Sequence, residues 1–326
     1  MRAWRLGFTL ISLALLIWVV SPAEIASVIR STDAWWLVTG LSIGAVATLV
    51  AGRVFQQILT IRWVNAPYGA VLAANLAGDF YALTLPLGLA VGGAVRLLRL
   101  GHDRQSMSGV FAAILASRLL EMFLQLSLAL VAMLWIWDRL PSPLVWASGL
   151  GLGILFVGCC HLAVFHRTSR RWALFLITLC LPRRSRLARP ARRVLARIGR
   201  VRAVGWGYQV QLLATGVLRH LLGATAFLAF AAAANAELTF AESLWVRGVT
   251  GIAMLLPVSV AGLGLRELSY VALLALFGVA PASALAMSLM VFFGLLLNGA
   301  AGGMIELGGV VRPTGRLGSS ASQRRS

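Results

Sequence analysis

The sequence predicts an all-α, polytopic integral membrane protein with about six spans and two further Pro/Gly-broken re-entrant segments related as an inverted repeat. Three observations carry this. Hydrophobic residues fill 60% of the 326 positions and charged residues only 12%, against roughly 25% charged in a soluble domain. Apolar runs long enough to cross about 30 Å of hydrocarbon recur along the whole chain. All 29 basic residues are arginine, and most lie in short segments between those runs.

The arginines set the first exclusion. A net charge of +19 on a soluble chain would suggest a nucleic-acid binder. Here the charge is spaced by the spans as the positive-inside rule arranges it, so no nucleic-acid partner is expected. Cys159, Cys160 and Cys180 lack C-x-x-C or His-paired spacing. His161 and His166 are five apart and do not share a helical face. No metal and no cofactor are therefore expected.

Apolar windows place spans at about 6–28, 35–60, 108–137, 143–166, 206–234 and 281–308. The first could pass for a secretory leader ending at Ser21-Pro22-Ala23, but the many spans after it favour a segment that stays. One membrane domain, 1–310, is expected, with a basic cytoplasmic loop at about 167–205 and a polar, disordered tail at 311–326. The loop carries twelve arginines between residues 167 and 202. Within it, Val194, Ile198 and Val201 share a helical face, so it reads either as a plain topogenic loop or as an interfacial helix on anionic headgroups. Counting arginines puts both termini in the cytoplasm of a multi-pass protein of the cytoplasmic (inner) membrane.

Residues 70–100 and 241–279 resist a simple span reading. Each is apolar, yet broken by Pro and Gly and charged near its centre. Leu85-Pro86 is followed by Gly92, Gly93 and Arg96; Leu256-Pro257 is followed by Gly262, Gly264 and Arg266. Pro removes a backbone donor and Gly permits sharp turns, so both helices are expected to break at the same relative point. The arginine count makes the two segments enter from opposite faces, and paired interrupted segments point to a transporter's substrate site. A broken helix also exposes N–H groups that attract anions, and arginine adds a fork suited to phosphate or carboxylate.

Other ionisable groups fall at membrane depth, where charge is costly and marks function. Asp79 precedes Pro86 by seven residues, with Asn75 one turn earlier on the same face. Arg118 and Glu121 are three apart and able to pair along one helix, with Gln125 continuing the stripe. That pair serves equally well as a structural lock or as a substrate contact. Arg266 and Glu267 are adjacent and expected to point apart. Arg53, with Gln56 and Gln57, reads as an anchor; Arg219–His220 and Glu242–Arg247 have no decisive spacing. The substrate-binding candidates are thus Arg96, Arg266, Glu267, Asp79, Asn75, Arg118 and Glu121. No G-x-S-x-G, H-E-x-x-H, D-D-x-x-D or Walker pattern occurs, so no catalytic residue is nominated.

The run N-L-A-G-D-F-Y-x-L-T-L-P from Asn75 to Pro86, GGAVR ending at Arg96, S-R-L-L-E through Arg118 and Glu121, and L-P-V-S-V-A-G-L-G-L-R-E at Leu256–Glu267 occur in that order. Over nearly the whole chain they resemble the lysylphosphatidylglycerol synthase transmembrane, or flippase-like, family. The resemblance implies a role in moving or presenting lipids. In the best-known members this region is fused to a cytoplasmic synthase and translocates an aminoacylated phospholipid, whereas stand-alone relatives are linked to polyprenyl-linked sugar or hopanoid pathways. Without a synthase domain in this sequence, a stand-alone lipid translocase is the leading expectation, with membrane lipids as partners. The alternatives are an integral-membrane glycosyl- or acyltransferase subunit, and a scaffold that binds a lipid-modifying enzyme.

Overall fold

The computed structural model describes residues 27–28, 30–85, 88–165, 205–254 and 264–308. The expected first span, the basic loop, the tail, and Pro86, Pro257 and Gly262 lie outside these residues, apart from the edges of the span and the loop. Among the described residues the chain is helical: α1 (Ala34–Ile61), α2 (Tyr68–Thr84), α3 (Gly88–Leu100), α4 (Arg104–Ile136), α5 (Pro143–Phe165), α6 (Trp206–Ala233), α7 (Phe240–Ala253), α8 (Leu265–Ala275) and α9 (Pro281–Leu307). Helices α1, α4, α5, α6 and α9 are long and apolar enough to cross a membrane, and they match five expected spans to within a few residues.

Helices α1 and α6 form an antiparallel spine. The Asp33 N–H donates to the Ala233 carbonyl at one end, Gly40 abuts Phe230 in between, and the Tyr208 hydroxyl donates to the Gln57 carbonyl at the other. Tryptophans mark the two ends. Trp35, Trp36, Trp135 and Trp137 are exposed near one, and Trp63 and Trp206 near the other, as indole rings settle at the two membrane interfaces. Exposed Leu144, Val145, Leu152, Leu155 and Phe156 on α5 give an apolar face suited to lipid.

The two broken segments are helix pairs. In the first, Gly92 packs on both Gly78 and Ala82 while Gly78 also meets Arg96, so α2 and α3 run antiparallel. A Cβ on Gly92 would lie 2.6 Å from the Gly78 carbonyl oxygen, which is why glycine is needed there. The pair starts and finishes beside one end of the bundle, where Gly109 of α4 meets Arg62 and Val64. The second pair, α7 and α8, starts near Ala234 at the opposite end. Helix α8 runs antiparallel to α9, with Glu267 reaching Ser288 and Leu268 and Val271 reaching Ala282 and Leu285, so the chain returns to that end.

One expectation about these pairs is corrected. Gly92 and Gly93 do not break a helix; both lie within α3, and at Gly92 the close approach to α2 offsets the roughly 1 kcal/mol that a helical glycine costs. The breaks expected at Pro86 and Pro257 lie outside the described residues; beyond them α3 begins at Gly88, and α8 follows Gly264, its N-cap, with φ +82°. Arg96 therefore sits in the third turn of its helix and Arg266 in the first turn of its own.

Two apolar cores fill the bundle. One gathers Val54, Ile58, Leu59, Val71, Ala113 and Leu120 around the first pair. The other gathers Met133, Phe227, Trp245, Tyr270, Leu274 and Met287 around the second. Between them, near the midpoints of α1, α4 and α6, lie Thr48, bonded to Asn298 at 3.1 Å, Glu121, Arg219 and His220. A polar layer is thus sandwiched between two hydrophobic ones.

Packing here depends on missing side chains. A Cβ on Gly302 would strike the Leu76 carbonyl and main chain of α2, whereas one on Gly44 meets nothing within 4 Å. Gly302→Ala is expected to destabilise the protein by about 1–3 kcal/mol through overpacking. Gly44→Ala is expected to be neutral or stabilising by up to about 1 kcal/mol. Thermal unfolding of both variants in one detergent checks the contrast.

Helix α4 begins with a reciprocal cap: Asp103 accepts from the Ser106 N–H at 2.6 Å, and the Asp103 N–H donates to the Ser106 hydroxyl at 2.9 Å. The Ser106 N–H holds the Asp103 carboxyl below the usual carboxylate range. With the folded-state value the lower one, the cap stabilises α4 above the unfolded carboxylate pKa and is lost as pH falls through the depressed value. Amide exchange at Ser106, corrected for intrinsic rates, should therefore accelerate on acidification in the wild type, and Asp103→Asn should remove that dependence.

Candidate functional site

Charge in the polar layer comes from four directions. Helix α2 supplies Asp79 and α3 supplies Arg96, joined across the first pair at 2.8 Å. Helix α4 supplies Arg118 and Glu121, one turn apart. Helix α6 carries Gly216, Arg219, His220 and Gly223 at helical spacing along one face. Gly216 lets α6 approach Leu124 of α4, and Gly223 lets it approach Arg247 of α7. The second pair contributes Arg247, Arg266 and Glu267.

Glu121 is shared. Its two oxygens face Arg118 at 3.4 Å and Arg219 at 3.6 Å, both longer than a well-formed charge-assisted hydrogen bond. Arg118 is the more exposed partner and opens the layer to the bundle surface. Asp79 lies within electrostatic reach of Arg118 and Glu121 as well as Arg96, and Glu121 within reach of Arg219, Arg118, His220 and Arg96. Arg247 is coupled to Tyr270 and Arg219, and Tyr270 to Arg247, Arg266 and Glu267. These groups thus form a track from the first helix pair to the second, with the uncharged Tyr270 phenol between Arg247 and the Arg266–Glu267 pair.

At the far end of the track the expectation for Arg266 and Glu267 is overturned. They do not point apart but pair with each other, both buried. The cause is local: Glu267 is the third residue of α8 and turns back to accept the Gly264 N–H at 2.7 Å, as in a capping box. That brings its other oxygen to Arg266, which lies over the Phe292 ring at 4.8 Å from the centroid. The N-terminus of α8 is consequently filled by its own carboxylate.

Of the expected site residues, Asp79, Arg96, Arg118 and Glu121 converge in one coupled group, while Arg266 and Glu267 form a separate pair joined to it through Tyr270 and Arg247. Asn75 lies one turn before Asp79 and makes no side-chain hydrogen bond among the described residues. Arg53 is exposed and bonds Gln56, in keeping with an anchor. Sequence reasoning missed Arg219 and Arg247. The glycine-flanked stripe around Arg219 was a readable signal. For Arg247 the signal was only its place in the middle of an apolar helix.

Outside the track, one ion pair tethers each helix pair at its own end of the bundle. Arg99 of α3 meets Glu306 of α9 at 2.7 Å. Arg139, after α4, meets Glu242 of α7 at 2.6 Å, and the other oxygen of Glu242 accepts the Thr239 N–H at 2.7 Å.

Asp79→Asn alone strands a largely buried guanidinium and is expected to cost about 1–3 kcal/mol. The double variant Asp79→Asn/Arg96→Gln should recover part of that loss, with a coupling of roughly 0.5–3 kcal/mol. Unfolding midpoints of the four proteins in one detergent close the cycle.

Comparison with known proteins agrees with this architecture. No curated protein matches the chain. The sequence profile of the family described as Lysylphosphatidylglycerol synthase TM region matches residues 4–302, a stretch that takes in every helix of the track. A multi-pass helical protein whose charges are gathered between two broken helix pairs, and whose sequence fits that profile over most of its length, belongs to the lysylphosphatidylglycerol synthase TM region family.

Proposed function

We propose that this protein translocates, or presents for modification, a lipid with an anionic headgroup. The headgroup travels along the charged track while the acyl or prenyl tails remain in the bilayer. One observation carries the reading. Arg96, Arg118, Arg219, Arg247 and Arg266 stand against Asp79, Glu121 and Glu267 on a path that joins two broken helix pairs returning to opposite ends of the bundle. A surplus of positive charge inside a membrane domain is costly unless an anion answers it.

In this reading the helix pairs are re-entrant, the first dipping from the cytoplasm and the second from outside, with both termini cytoplasmic as the arginine distribution requires. Arg118, exposed beside Glu121, receives the headgroup from the side. Glu121 and Glu267 hold the neighbouring guanidiniums in place until it arrives. A lipid-modifying enzyme is the natural second partner for a protein that delivers its substrate. The family membership supports a role in membrane-lipid metabolism.

Reconstitution into vesicles with fluorescent lipids tests this. Wild type is expected to accelerate transbilayer movement of anionic phospholipids at least tenfold over protein-free vesicles, and of zwitterionic ones much less. Glu121→Gln, which releases both Arg118 and Arg219, should reduce the rate at least tenfold. No acceleration of any anionic lipid, or equal acceleration of zwitterionic lipid, would sink the proposal.

A further inference from the structure

Among the described residues, several polar groups of the layer that lack a partner or hold only a long one lie around one place. Arg247 forms no ion pair and no side-chain hydrogen bond among the described residues. Its guanidinium lies against the bare backbone of Gly223. One turn earlier on α6, His220 is only 7% exposed, and its Nε2 has no hydrogen-bond partner. His220 is within electrostatic reach of Arg219, Glu121 and Arg247. The Arg219 guanidinium holds only half of a carboxylate, at 3.6 Å. A buried polar atom such as His220 Nε2 is rarely left unsatisfied, and an unpaired guanidinium beside it asks for an anion.

The other cations are answered. Arg96 has Asp79 and Arg266 has Glu267. With five arginines against three carboxylates, the surplus is two positive charges. It falls on Arg247 and on the Arg118–Arg219 couple that divides Glu121. We propose that Arg219, His220 and Arg247, with Gly223 as the floor, form the resting subsite for the headgroup, and that the headgroup it selects is a phosphomonoester or diphosphate. This rests on the reading above and names its substrate class.

The selection follows from charge. A phosphomonoester carries about −1.5 to −2 at pH 7 and neutralises the surplus; a phosphodiester carries one charge and leaves the layer cationic. Two guanidiniums give fork-shaped donors to the terminal phosphate oxygens. The unpartnered Nε2 of His220 donates to a phosphate oxygen when it carries the ring proton. A diester lipid lacks the third free terminal oxygen that this geometry serves.

The test is binding, separate from transport. The full chain in phosphatidylcholine nanodiscs is titrated with short-chain phosphatidic acid, short-chain phosphatidylglycerol and inorganic phosphate. Wild type is expected to bind phosphatidic acid about tenfold more tightly than phosphatidylglycerol, and inorganic phosphate more weakly than either. Arg247→Gln should lose about tenfold for phosphatidic acid and erase the preference. Gly223→Ala, which keeps every charge but displaces the guanidinium, should do the same. Arg53→Gln should bind like wild type.

If Arg247→Gln and Gly223→Ala, with unfolding midpoints at or near wild type, bind all three probes unchanged, the subsite is wrong. Equal affinity for inorganic phosphate and phosphatidic acid would assign the site to the free ion and overturn the lipid class. Arg247-dependent binding without transport of any lipid would uphold the subsite and defeat the translocase reading. Transport of anionic lipid indifferent to Arg247 would do the reverse.

Discussion

The interior of a bilayer offers no water, so every ionised group there must be answered by protein or by a ligand. That constraint organises this molecule. Eight ionised side chains in the polar layer would cost roughly 20–28 kcal/mol on insertion scales if each met hydrocarbon alone. Their placement at the junction of two apolar cores, rather than on the lipid-facing side of α5, keeps them within reach of each other. The antiparallel α1–α6 spine runs past both cores and is pinned by a hydrogen bond at each end.

Glycine supplies the other half of the design. The helices that carry these charges come close at glycines: Gly78 and Gly92 join α2 to α3, while Gly216 brings α6 to Leu124 and Gly223 brings it to Arg247. Two of them flank Arg219 and His220 on α6, and two others bring Arg96 to Asp79. The ionic and steric features are therefore one feature. Replacing a glycine by alanine in this layer would move a charge as surely as replacing an arginine.

Much of this was legible in the sequence. The five long helices follow from apolar runs bounded by arginine, and the Asp79, Arg96, Arg118 and Glu121 group follows from the rule that intramembrane charge seeks a partner. What was not legible has physical causes. Gly92 and Gly93 look like breakers, but a glycine in a helix is also what lets a second helix touch it. Arg266 and Glu267 are neighbours that should diverge, yet the cap at Gly264 turns the carboxylate back. Arg247 looked ambiguous beside Glu242, because the preference of Glu242 for Arg139 and Thr239 is a tertiary matter. Pattern along a chain reports which residues are costly to bury, and packing decides who answers them.

The tryptophans have a further consequence. Helix α1, 28 residues long with Trp35 and Trp36 in its first turn and Trp63 just past its end, spans about 42 Å at 1.5 Å per residue, close to the 40–45 Å of a bilayer with its headgroups. Rings anchored at both rims set the height at which the charged layer rides. A thinner or thicker membrane would tilt or stretch this frame, a mismatch costing fractions of a kcal/mol per ångström. The height of the frame, set by its tryptophan rims, is thus that of a bilayer of ordinary thickness.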